Sequence, residues 1–153
     1  MYGVGAGIAL EVIELFVTQP LLIWLTGEPP NLENFRDVIG NWKLVLIYLP
    51  ALWVLAAFGE ETVHRGYLMN RVADLGNRTR LAWAVSLLLV SVEFGFCHRY
   101  QGITGIIDEG LMGFLLGLLY LRCGRNLWIP IVAHGVADSI DLALMYLGIY
   151  PTM

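Results

Sequence analysis

Two carboxylates stand side by side, at Glu60 and Glu61, inside the apolar stretch LVLIYLPALWVLAAFGEETVHRGYL (44–68). A charge in a bilayer is costly, and where it persists it faces a cavity or a partner and marks a functional site. Arg65 follows Glu61 by four residues, the spacing that puts two side chains on one helix face. Two later apolar segments each carry an imidazole: His98 closes FGFCH, and His134 opens HGVAD, with Asp138 one turn on. Two acids and two distant histidines form a set able to activate water.

The elements that must position this set are membrane helices. Hydrophobic residues make up 58% of the 153 and charged residues only 14%, against about 25% in an ordinary soluble domain. The composition predicts an all-α, multi-pass transmembrane bundle with about five membrane segments. A single membrane-embedded domain over 1–153 is expected, because no polar linker divides the chain. A net charge of −4 without a basic stripe argues against a nucleic-acid partner. Cys97 and Cys123 lack a CxxC spacing and read as small buried apolar residues. Glu11 and Glu14 interrupt the first apolar run, so the N-terminus reads as an embedded or interfacial helix rather than a cleaved leader.

The segments are expected over about 4–26, 42–74, 81–98, 105–121 and 128–148, with a polar loop, GEPPNLENFRDVIGN, at 27–41. A helix over 42–74 exceeds the ~30 Å hydrocarbon thickness at ~1.5 Å per residue, so its second half should bend or leave the membrane. Gly110, Gly113 and Gly117 form a stripe that would admit a close neighbour helix. Arginines flank the second-to-third and fourth-to-fifth connections, which the positive-inside rule puts in the cytoplasm. On that arrangement His98 ends far from the arginine-bearing face, while Glu60 and His134 lie nearer the middle. A tilted third segment or a deeper His98 would reconcile them.

Hydrolysis of a peptide bond needs an activated water, a stabilised oxyanion and a proton for the leaving amine. Glu60 can take the proton from water, with the His98 imidazole sharing or orienting that water. His134 can donate to the oxyanion, and Asp138 can orient His134 or line the same pocket. Glu61 pairs with Arg65, which leaves Glu60 as the uncompensated acid. A zinc hydrolase is the lesser alternative, with Glu60, His64, His98 and His134 as an N/O donor set. Apart from that set, His64 reads as a helix-surface residue. A non-enzymatic membrane protein, using the same groups as a proton relay or as a binding cavity for an immunity partner, is a further alternative.

In order, EETVHR (Glu60–Arg65), FGFCH (Phe94–His98) and HGVAD (His134–Asp138) resemble the motifs of the CPBP or Abi family of intramembrane proteases, the CAAX prenyl protease type II group. The motif core spans 58–140. The resemblance implies a metal-free endopeptidase with Glu60 as catalytic base, His98 as its partner, and His134 and Asp138 at the oxyanion positions. It assigns Glu61, Arg65 and Phe94 to supporting the site. Asp138 departs from the frequent asparagine, and an acid has no amide to donate. The implied substrate is a membrane-associated peptide or lipidated protein, of the prenylated CAAX or bacteriocin type. The implied location is the bilayer, the plasma membrane if the source is bacterial.

Overall fold

The computed structural model describes residues 1–152. Five helices are long and apolar enough to cross a membrane: α1 (Tyr2–Thr26), α2 (Trp42–Leu75), α3 (Arg80–Cys97), α4 (Arg99–Arg122) and α5 (Trp128–Leu147). No strand occurs among the described residues. The expected segments match these helices within a few residues, except that α4 begins at Arg99 rather than 105.

Their ends follow local chemistry. Asn41 caps α2 by accepting from the Leu44 N–H, and Thr79 caps α3 by accepting from the Ala82 N–H. Gly27 and Gly148 close α1 and α5 in the left-handed conformation. Along the helices, large apolar side chains such as Phe16, Leu46, Leu55, Leu88 and Val92 point outward and are mostly exposed. An apolar belt of this extent suits lipid rather than water.

The long helix α2 is continuous past Gly59 and Gly66. It runs unbroken through 34 residues. Pro50 sits inside it, with no N–H to give and a ring that crowds the preceding turn. Just beyond, residues Leu52–Glu60 and Thr62–Leu68 wind in the wider π form. Such winding is common at functional sites, and here it carries every residue of the first motif except Glu61.

Asn77 and Arg78, both with positive φ, turn α2 back into α3. Antiparallel partners meet at equal distances from their turn, so the Glu60 region of α2 lies level with the C-terminal end of α3. This accounts for His98, whose height relative to Glu60 is set by the hairpin.

Helices α3 and α4 pack most closely where glycine permits it. A Cβ on Gly113 would lie 3.0 Å from the Phe94 ring, and one on Gly95 would strike the Ile106 carbonyl oxygen. The glycine stripe of α4 therefore has α3 as its neighbour, and α3 contributes a glycine of its own. On the other side, α1 packs along α5, and α5 packs against the middle of α2.

The 27–41 loop has an apolar role that its polar composition hides. Its 3₁₀ turn, Glu33–Val38, buries Val38 completely, and Leu32 and Val38 pack with Leu142, Met145 and Tyr150. The loop thus covers the end of α5 and one end of the interior cavity.

Candidate active site

Phe94 is the hub of the three motifs. It is 1% exposed, and the rings of His64 and His98 each lie 4.9 Å from its centroid. His134 approaches it edge-on at 6.2 Å, and the Arg65 guanidinium covers it at 4.7 Å. A cation over an aromatic face is attracted by the ring quadrupole. One side chain from α3 therefore spaces the side chains of α2 and α5.

Beside Phe94 runs a row of buried charges. Arg65 Nη1 donates to Glu61 Oε1 at 2.7 Å, and Nη2 donates to the Gly113 carbonyl at 2.7 Å. The same Glu61 oxygen lies 2.9 Å from His134 Nδ1. His134 Nε2 lies 3.4 Å from Asp138 Oδ1. Glu61 is fully buried and Arg65 is 1% exposed. With His134 protonated, signs alternate along the row and the sum is zero, a condition under which buried charges persist. The expected Glu61–Arg65 pair is present, but Glu61 also holds His134, so it links the first motif to the third.

Glu60 is placed differently. It lines a cavity of about 350 Å³, together with His98, His134 and Asp138. Oxygen Oε2 of Glu60 is enclosed and has no hydrogen-bond partner. His98 Nδ1 is 2.9 Å from the Phe94 carbonyl. A carbonyl only accepts, so Nδ1 carries the proton and Nε2 is left with its lone pair free. The cavity therefore gathers a carboxylate oxygen without a partner, an imidazole with a defined tautomer, and a second imidazole gripped by two acids.

His64 stands apart. It is buried at 7% exposure rather than on the helix surface, and it does not line the cavity. Its Nδ1 lies 2.7 Å from the Glu60 carbonyl oxygen and its Nε2 lies 3.1 Å from Glu93. Of the donor set Glu60, His64, His98 and His134, three line the cavity and His64 does not.

Other polar residues line the cavity besides the motifs. Asp108 and Glu109 on α4 are there, whereas Glu93 is not. Thr18 donates to Asp108 at 2.7 Å, and Gln101 donates to Glu109 at 3.1 Å. Glu14, Asp141, Tyr100 and Tyr150 also line it, and no spacing rule pointed to them. The available signal was weak: acids at Glu11, Glu14 and Asp141 inside apolar helices, the same cue that singled out Glu60.

The three motifs fall within residues 41–140, the region that matches the family model for type II CAAX prenyl endopeptidase Rce1-like proteins. The chain belongs to this Rce1-like family. As a member with five apolar helices, it is an integral, multi-pass membrane protein. It is also similar to an Escherichia coli protein described as an uncharacterized 24.3 kDa protein, with 29% identity over 121 residues. That alignment covers 77% of this chain and 52% of the relative, so the chain spans about half the length of the curated relative it matches. No solved structure matches the chain.

Proposed function

We propose that this Rce1-like chain is an intramembrane endopeptidase in which Glu60 activates water without a metal. Glu60 takes a proton from a water that His98 Nε2 helps to orient. The hydroxide adds to the scissile carbonyl carbon, and the carbonyl electrons move onto oxygen. His134, cationic between Glu61 and Asp138, donates Nε2–H to that oxyanion. Glu60 then passes its proton to the leaving nitrogen as the C–N bond breaks, releasing a carboxylate and an amine. In this scheme Asp138 orients His134, so the missing amide is no handicap.

The observation that carries this reading is the shared cavity. Glu60, His98 and His134 come from three separate parts of the chain, and all line one space with a carboxylate oxygen left unpartnered. The volume is within the ~300–1,000 Å³ usual for ligand sites. Family membership supports a membrane-associated substrate, a prenylated CAAX protein or another lipid-anchored peptide. The row of cavity acids favours a second reading, a proton relay with no cleavage.

The test is mass spectrometry of membrane proteins and peptides from cells carrying the wild type or Glu60→Gln. Fragments present only with the wild type would identify the substrate and its cut site. Identical peptide sets, together with Glu60-dependent proton flux in liposomes, would replace the protease reading with the relay.

A further inference from the structure

Outside the cavity, where α2 faces α3, His64, Glu93 and Cys97 form a second cluster. Glu93 Oε2 lies 3.1 Å from His64 Nε2, and Cys97 Sγ lies 3.2 Å from Glu93 Oε1. One nitrogen, one oxygen and one sulfur donor lie within 4.8 Å of one another. Among the described residues this is the trio of such donors that comes so close. Cys97 is exposed rather than buried as its small apolar character led us to expect, and the Glu93 side chain is 48% exposed.

We propose that His64, Glu93 and Cys97 bind a divalent transition metal of the zinc class, with a further coordination position open to an outside ligand. Imidazole, carboxylate and thiolate together are the donors that borderline metals select. The strongest support is the other nitrogen of His64. Nδ1 lies 2.7 Å from the Glu60 carbonyl, which can only accept, so Nδ1 bears a proton and Nε2, 3.1 Å from Glu93, is the nitrogen left to bind an ion. Metal-ligating histidines are held in this way, through the ring nitrogen that does not bind the ion.

Charge supports the same assignment. Glu93 sits on a face of α3 otherwise made of exposed Leu89, Val92 and Phe96. A dication with one carboxylate, one thiolate and one neutral imidazole sums to zero, which suits an apolar surround. Without the metal, the contact between His64 Nε2 and Glu93 needs a proton between them, and Cys97 holds its own. Binding therefore exchanges two protons for one dication, and charge balances on both sides. Because Glu93 and Cys97 lie one turn apart on α3 and His64 on α2, the ion ties the two helices together. It does so at the turn whose carbonyl belongs to Glu60.

The experiment is a titration of the purified full chain in detergent with Co²⁺ alone, followed by competition with Zn²⁺. No substrate is present, so the outcome is independent of whether the chain cleaves peptides. A thiolate-to-cobalt charge-transfer band should saturate at one ion per chain, release two protons per ion and be displaced by Zn²⁺. Cys97→Ser should abolish the band, and Cys123→Ser should leave it intact. Glu93→Gln should weaken binding by about tenfold or more, at least the loss seen when an outer-shell partner of a metal ligand is removed. Both altered side chains are exposed, and an unchanged thermal transition would show that the variants fold. A band that fails to saturate, survives Cys97→Ser or is unaffected by Glu93→Gln would overturn the site. The cluster would then be a histidine–glutamate ion pair with a thiol beside it.

Discussion

Glu60 and Glu61 are consecutive on one helix, yet they belong to two different regions. Glu61 is enclosed in a row of fixed partners, with Arg65 and His134 on one oxygen and Asp138 at the far end. Glu61 leaves its second oxygen, Oε2, unpartnered, as Glu60 does; Glu60 differs in lining the cavity and in making no carboxylate hydrogen bond among the described residues. In the enclosed region Glu61 and Arg65 answer each other, so these two groups hold position and have little left to offer a substrate. In the cavity the opposite holds, and the unpartnered acid is the group free to take a proton. Neighbours on a helix point in different directions, which lets one turn carry both a braced acid and an acid that lines a cavity.

The largest expected effect falls on the cavity side. Glu60→Gln should lower proteolysis about 10²–10⁴-fold, the usual contribution of a general base, with an unchanged thermal transition in detergent. Full activity in that variant would erase the functional difference between the two acids. On the enclosed side, Arg65→Ala should cost about 3–5 kcal/mol of stability, because it strips one partner from Glu61 in a buried site. It also removes the cation above Phe94 and the donor to the Gly113 carbonyl. A variant with wild-type melting but no activity would move Arg65 from brace to chemistry.

His134 joins the two regions, so His134→Gln sharpens the comparison. Rates should fall about 10²–10³-fold, as when an oxyanion donor is lost, and chiefly in kcat rather than KM. Gly95→Ala tests the helix contact behind both regions. Its new methyl would meet the Ile106 carbonyl, and overpacking of this kind costs about 1–3 kcal/mol, readable as a lower melting temperature. The smallest effect is expected of Asp138→Asn, with activity within about tenfold of wild type, since an amide can still contact His134 and can donate to an oxyanion. A complete loss there would mean that the negative charge at the end of the row is itself required.

Much of the scaffold was legible in the residue order. Helix ends came within a few residues because apolar runs of membrane length and the polar 27–41 loop are local signals. The Glu61–Arg65 pair was legible for the same reason, since spacing along one helix dictates it. The contact between Glu61 and His134 was not, because it joins positions 73 residues apart through helix packing. Three further features were hidden too: the π winding across the first motif, the apolar underside of the 27–41 loop, and the turning of His64 toward Glu93. Each depends on what a neighbouring element presents at that height, which no periodicity within one segment records.

By itself, the sequence determined that the chain fills a bilayer with five helices and carries its ionisable groups in three separated motifs. Hydrophobicity and local spacing are properties of one segment at a time. The tertiary structure alone decided which of two adjacent acids is braced and which is open. It also decided that His98 and His134 share a cavity, and that His64 belongs to another cluster. Those outcomes rest on the α2–α3 hairpin, which sets relative height, and on the close approach at Gly95 and Gly113, which sets how deeply Phe94 reaches between its neighbours.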